Sequence, residues 1–303
     1  ADITINLNSC SVIRDTGRYD DALFDIRQGK LRIFSTQLTG IPVNDHNMQF
    51  RSLARTSCLF RVGENGTLRL TNVSGFTPYE GMAYGQPMVI SEGNLQIDGG
   101  YYCNMIDSFS SSGSTRGAAI LIDGGTAVIN GGRYAGTACG IAVRNDAQLT
   151  VNNGYIGSLD TGLYIGDNAS AVIHDGEFDR YEKTSSSSKS QNCAVMMNST
   201  GDLTIYGGSF YGAKQGLFLQ SAGQVTIWNG SFKSRNPREA QQGAMVISDM
   251  ENMNITVYNG TFSGTAGIRS NVKFPLKDIL PDKNSNGMRA TVFEMQRNSA
   301  GRR

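Results

Sequence analysis

Charge is scarce in this chain. Charged residues make up 17% of its 303 residues, and the net charge is +1. A balance this flat lacks the basic footprint of a nucleic-acid binder, so no nucleic-acid partner is expected. Long apolar runs are missing too. None approaches the ~20 residues that a spanning helix requires, and membrane insertion is not expected. No heptad or long amphipathic stretch appears, which excludes a helical bundle. No zinc spacing, no calcium nonapeptide repeat and no glycine-rich loop leading into a helix is present, so neither metal nor cofactor is expected. The chain opens at Ala1 without a signal-peptide pattern, as a mature or trimmed protein does.

What the chain has instead is glycine, 37 residues of it, placed at regular intervals. Leu203 to Ser234 writes one phrase twice: Leu203-Thr204-Ile205 is answered by Val225-Thr226-Ile227, and Gly208-Ser209-Phe210 by Gly230-Ser231-Phe232. Apolar residues alternate in both halves of the phrase, as in a strand with one buried face. A Gly-Gly or Asn-Gly pair joins the halves, because a tight bend needs positive φ. A further short strand, Gly216-Leu217-Phe218-Leu219, precedes the next phrase. Each unit therefore carries three short strands. It cannot bury its own apolar face, whereas stacked copies can.

The bend glycines are Gly100, Gly132, Gly154, Gly176, Gly208, Gly230 and Gly260, separated by 32, 22, 22, 32, 22 and 30 residues. A 22-residue coil is thus enlarged at one corner only, within residues 103–116, 180–192 and 233–242. The serine-rich stretch 181–192 has no apolar anchor and reads as a loop. Longer connections at 39–57 and 75–86 leave from the same corner. Ile3-Thr4-Ile5-Asn6-Leu7 reads as a first strand or cap. After Gly264 the pattern lapses; residues 275–281 read as a short helical turn and 291–295 as a closing strand. The expected fold is an all-β solenoid of roughly ten coils, one domain over 1–264 including an N-terminal cap, with a C-terminal cap and tail over 265–303.

This repeated phrase (Leu-Thr-Ile or Val, then Gly or Asn before Gly, then an aromatic two residues on) resembles the right-handed parallel β-helix of the pectin-lyase-like superfamily. The resemblance covers about residues 23–264. The phrase is also similar to repeats in large surface proteins of gut bacteria. The architecture occurs in phage tailspikes and in polysaccharide lyases and hydrolases. The resemblance implies an extracellular or cell-surface protein, or alternatively a virion protein.

In a stack, equivalent residues lie about 4.8 Å apart, so columns carry the functional argument. Tyr102, Tyr134, Ile156, Phe178, Phe210, Phe232 and Phe262 form an inward core column. Gly99, Gly131, Asn153, Asp175, Gly207, Asn229 and Asn259 precede the bend glycines and are expected to bond along the stack. Asp98, Asn130, Asn152, His174, Tyr206, Trp228 and Tyr258 form an outward column on the second strand. His174, Tyr206, Trp228 and Tyr258 in it suit sugar rings or a protein partner, and equally suit a ladder that stiffens the sheet.

The outward column of the first strand reads Ala142, Tyr164, Met196, Phe218 and Val246. In the superfamily's lyases and hydrolases, acids, bases and cations cluster around this strand; here none stands in the column. A lyase needs a base and a cation or metal opposite the uronate, and a hydrolase needs two carboxylates. An apolar outer column instead wants a cover: the corner insertions, the tail, or another subunit of a homotrimer. Asp175, Glu177 and Asp179 are the densest acidic group, with Glu177 and Asp179 both expected in solvent; it reads as a solvated face, with an acid pair or a cation site as the alternatives. The five cysteines, Cys10, Cys58, Cys103, Cys139 and Cys193, are odd in number and widely spaced. Cys139 and Cys193 share a column two coils apart, roughly 10 Å, too far for a disulfide. All five are expected as buried thiols, which suits a reducing cytoplasm or an anaerobic habitat. The reading is a non-catalytic surface or virion protein that binds a polysaccharide or a surface protein. The alternatives are a polysaccharide-cleaving enzyme with a corner-loop site and a structural spacer.

Overall fold

The structure is a computed structural model that describes residues 1–8, 10–14, 22–36, 49–52, 58–77, 87–104, 117–180, 193–234, 243–248, 253–263 and 268–270. The loop expected at 181–192, most of the other two insertions, and the turn and strand expected beyond residue 271 lie outside these residues. Every regular element among the described residues is a strand, 25 in all, and every pairing between them is parallel.

The pairings follow three series, one for each strand position of the repeat. The second-strand series begins at β1 (Asp2–Asn6), whose Ile3 lies beside Leu31. It continues through Leu68, Leu95, Ala127, Leu149, Ala171, Leu203, Val225 and Ile255. The third-strand series begins at β2 (Val12–Arg14) and runs through Phe50, Gly75, Tyr102, Tyr134, Ile156, Phe178, Phe210, Phe232 and Phe262. The first-strand series starts within β3 (Phe24–Phe34), where Phe24 lies beside Phe60. Its last member is Ile268, past the point where the sequence phrase lapses. This arrangement is consistent with a parallel β-helix.

Residues that lead each series point inward and form one continuous core. Phe178, Phe210, Phe232 and Phe262 stack with ring centroids 4.9, 4.6 and 4.9 Å apart. Tyr102 and Tyr134 stack at 5.3 Å; Ile156 interrupts the column between the two groups. Each ring is almost wholly buried, which contributes roughly 1.5–3 kcal/mol per side chain. Tyr134 keeps its hydroxyl satisfied by donating to the Gly131 carbonyl at 2.7 Å, and burial pushes its phenol pKa well up.

The bends explain the glycine spacing. Gly100, Gly132, Gly154, Gly176, Gly208, Gly230 and Gly260 all have positive φ, between +103° and +149°. Each turn leaves a carbonyl aimed at the next coil: Ser209 N–H donates to Gly176 O at 2.8 Å and Ser231 N–H to Gly208 O at 2.9 Å. The residue before the glycine behaves differently from the expectation. Asn153, Asp175 and Asn259 accept the N–H of the following glycine at 2.7, 2.8 and 2.8 Å rather than bonding along the stack. The N–H of the bend glycine is the nearest donor to the side-chain oxygen.

Candidate functional site

The second strand of each coil ends with an outward residue just before the bend, and these residues form the most regular exposed feature. Its last four members are rings in parallel planes. His174 and Tyr206 have centroids 5.0 Å apart, Tyr206 and Trp228 6.3 Å, and Trp228 and Tyr258 4.1 Å, with interplanar angles between 4° and 9°. Tyr206, Trp228 and Tyr258 are 44–46% exposed, and His174 is exposed as well. Because the rings face one another, what they turn to solvent is their edges: two phenol hydroxyls, an indole N–H and an imidazole.

The column continues as a polar ladder. Asn152 Nδ2 donates to Asn130 Oδ1 at 2.6 Å, and Asn130 Nδ2 donates to Asp98 Oδ1 at 2.5 Å. Asp98 also takes hydrogen bonds from Gln96 Nε2 at 2.8 Å and Arg69 Nε at 2.7 Å. Burial pushes the Asp98 carboxyl upward, but the hydrogen bonds from Asn130, Gln96 and Arg69 and the arginine's charge outweigh it, so its pKa is lowered. Two residues earlier on the same strands, Thr204, Thr226 and Thr256 occupy the same outward face, half-buried. The line thus runs from a neutralised carboxylate through amides to ring edges.

The outward first-strand column lies in register as expected, Ala142 beside Tyr164, Met196, Phe218 and Val246. It is not an open apolar face. Met196 and Val246 are each 4% exposed and Ala142 is buried; Tyr164 and Phe218 are half-buried. Ala142 belongs to a small cluster outside the main core with Ala118, Leu121, Ala138 and Cys139, against which Ile90 and Tyr164 pack. The homotrimer was expected only because this column is apolar.

Polar chemistry beside that column had escaped the sequence reading. The next outward position after Ala142 is Arg144, whose Nε and Nη2 donate to Asp123 at 2.6 and 2.8 Å. Asn145 donates to the same carboxylate at 2.6 Å. Tyr164 hydrogen-bonds Asn198, and Ser221 donates to Asn198 at 3.0 Å. Burial pushes the Tyr164 phenol up and Asp167 adds to the rise, against the Asn198 bond and Arg144. A phenol held up in this way is poorly placed to act as a base at neutral pH. The signal was available: Arg144 stands two residues beyond Ala142 in the two-residue period.

The acidic group does not come together as a cation site. Glu177 is exposed beside Tyr155 and Ser209, and Asp175 is occupied with the Gly176 N–H. Asp179 corrects the expectation that it lies in solvent. It is 7% exposed, in a column between Gly157 and Tyr211. Among the described residues, no three His, Cys, Asp or Glu side chains gather as metal ligands.

None of the five cysteines forms a disulfide. Cys139 and Cys193 do share a column, with Thr161 between them, its Oγ1 3.6 Å from Cys193 Sγ. Burial raises both thiol pKa values, and the buried Asp160 carboxylate raises them further. Cys10 corrects the expectation of five buried thiols. It is exposed, because it sits in the turn after β1, where its N–H donates to Leu7 O at 2.7 Å. No helix among the described residues is long and apolar enough to cross a membrane.

No protein-family model, no curated protein and no solved structure matches the chain.

Proposed function

We propose that this chain is a right-handed parallel β-helix of ten coils, pectin-lyase-like in architecture, that binds a linear, uncharged glycan at a cell surface or on a virion without cleaving it. The observation that carries this reading is the outward column from Asp98 to Tyr258. It sets a continuous row of hydrogen-bonding groups along the stack, perpendicular to the strands. The Asp98 charge is offset by Arg69, which favours a neutral partner over an anionic one. The ring faces are engaged with one another, so recognition runs through hydroxyl, indole and amide groups at the edges rather than through stacking on sugar rings. A chain of sugar hydroxyls matches such a row, and a polymer laid along the column would meet one rung about every 4.8 Å.

A non-catalytic role is favoured by the state of the polar groups near the first strand. Arg144 is clamped by Asp123 through two bonds, which leaves it poorly placed to neutralise a uronate. The spacer reading keeps one specific observation in its favour: face-to-face stacking is also what a ladder that only stiffens a sheet would show.

The deciding experiment is a glycan array probed with the intact chain and with Trp228→Ala. Binding by the first and not the second supports the proposal. A blank array overturns it in favour of the spacer. Release of reducing ends or of an unsaturated, ultraviolet-absorbing product from any bound polymer would overturn the non-catalytic half.

A further inference from the structure

The inward column of the second strand is exposed at the end of the stack that carries β1. Ile3 lies in the inward column that continues with Leu31 and Leu68, and exposure falls along it from 55% to 7% to 0%. At the far end of the same column Ile255 is only 6% exposed. The backbone at the open end is also incomplete. Among the described residues β1 pairs only with β3. Lys30 N–H donates to Ala1 O and Leu7 N–H to Phe34 O, at 3.3 and 2.9 Å. Alternation along a parallel ladder then turns the peptide groups of Ile3 and Ile5 toward β3, and those of Asp2, Thr4 and Asn6 toward the open side. An unpaired edge of this kind is a template for another strand.

We propose that a second copy of this chain docks on that end, with β1 antiparallel to its counterpart about a two-fold axis at Thr4. The strand reads Asp2-Ile3-Thr4-Ile5-Asn6, nearly the same in both directions. Paired with itself about Thr4, it sets Thr4 opposite Thr4, Ile3 opposite Ile5, and Asp2 opposite Asn6. Thr4, Asp2 and Asn6 are the residues whose peptide groups are available, so these become the hydrogen-bonded pairs. Ile3 and Ile5 become the close pairs between them. Both isoleucines point inward, so the two cores meet and Ile3 loses its exposure. On the outer face a carboxylate meets an amide, and no like charges face each other. Val12, Leu23 and Phe24, partly buried at the same end, widen the contact beyond a single strand pair. A two-fold contact of this kind uses the β1 edge of both copies, so it stops at two copies. This inference is independent of the glycan reading.

Sedimentation velocity on the full chain tests it. The expected species is a dimer. Thr4→Pro removes an N–H that faces only the open edge, a position that an edge strand tolerates. It is expected to give a monomer with an unchanged far-ultraviolet circular dichroism spectrum. Ile3→Lys, at an already exposed position, is expected to give a monomer as well, and it decides the matter if the proline variant does not fold. A wild-type monomer at the highest soluble concentration overturns the proposal and leaves the end to some other segment. So does a trimer, or a dimer that survives Ile3→Lys.

Discussion

The indole of Trp228 stacks on the phenol of Tyr258, 9° from parallel, with ring centroids 4.1 Å apart; on its other side it faces Tyr206 at 6.3 Å. Trp228 is the only tryptophan in the chain, so its fluorescence reports on this one place. Tyr258→Ala removes the closer stacking partner and should cost about 0.5–1.5 kcal/mol beyond the area lost. The expected result is a changed Trp228 emission maximum and a lower urea midpoint. An unchanged spectrum would mean that the two rings are not stacked in solution. A bound glycan should quench the same emission in the wild type.

Adjacent glycines at one bend give a sharper test of the backbone. Gly132 has φ +103°, and a Cβ there would lie 3.0 Å from the Gly100 carbonyl and 3.1 Å from the Tyr134 hydroxyl. Gly131 has no positive φ, and a Cβ there meets nothing within 4 Å. Gly132→Ala should therefore cost about 1–3 kcal/mol. Gly131→Ala should be neutral or stabilise by about 0.4–1 kcal/mol, through lower entropy of the unfolded chain. Thermal melts of the two variants side by side check this. Equal effects would mean that the bend is built differently.

These two glycines also show what the sequence made legible. A 22-residue coil, lengthened by 10 residues between Gly176 and Gly208, places Gly132, Gly154, Gly176, Gly208 and Gly230 on one line, and all have positive φ, because a repeated bend imposes one backbone conformation at one position. Columns follow from the same period, so the partners of Phe210 and Trp228 were readable without coordinates. Burial at the corner was not. Strand alternation gives the side on which Asp179 stands but says nothing about what else occupies that side. Side-chain reach was not readable either: Arg144 falls just outside the apolar pattern, and its grip on Asp123 depends on how two turns overlie each other. Binding chemistry was the least legible of all, since a row of rings has one spacing whether it carries a ligand or only itself.

Asp98 should leave a mark on stability at acid pH. Its pKa is lowered in the folded chain by Asn130, Gln96 and Arg69 acting against burial. A depressed carboxylate contributes stability that is present above its unfolded pKa, about 3.9, and is lost as pH falls through the lower folded value. Asp98→Asn removes that dependence. Between pH 6 and pH 7 the variant should melt below the wild type, having lost the Arg69 pair. Below about pH 4 the two curves should converge. A gap that stays constant from neutral to acid pH would show that the carboxylate is not coupled to folding.

The thiols separate the native chain into one reactive position and four protected ones. Cys10 is exposed, whereas Cys58, Cys103, Cys139 and Cys193 are buried. Thiolate is the reacting species, and burial raises the pKa of Cys139 and Cys193, so these two are held back both by access and by ionisation. Ellman's reagent at pH 8 should titrate one thiol rapidly in the native chain and all five after denaturation. Cys10→Ser should abolish the fast phase and leave the total at four. Because protection of the buried thiols tracks opening of the stack, their slow reaction also measures local unfolding. Cys58 lies near the open end and Cys193 toward the middle, so Cys58 should react first. The reverse order would place the weakest part of the stack at the corner that carries Asp160.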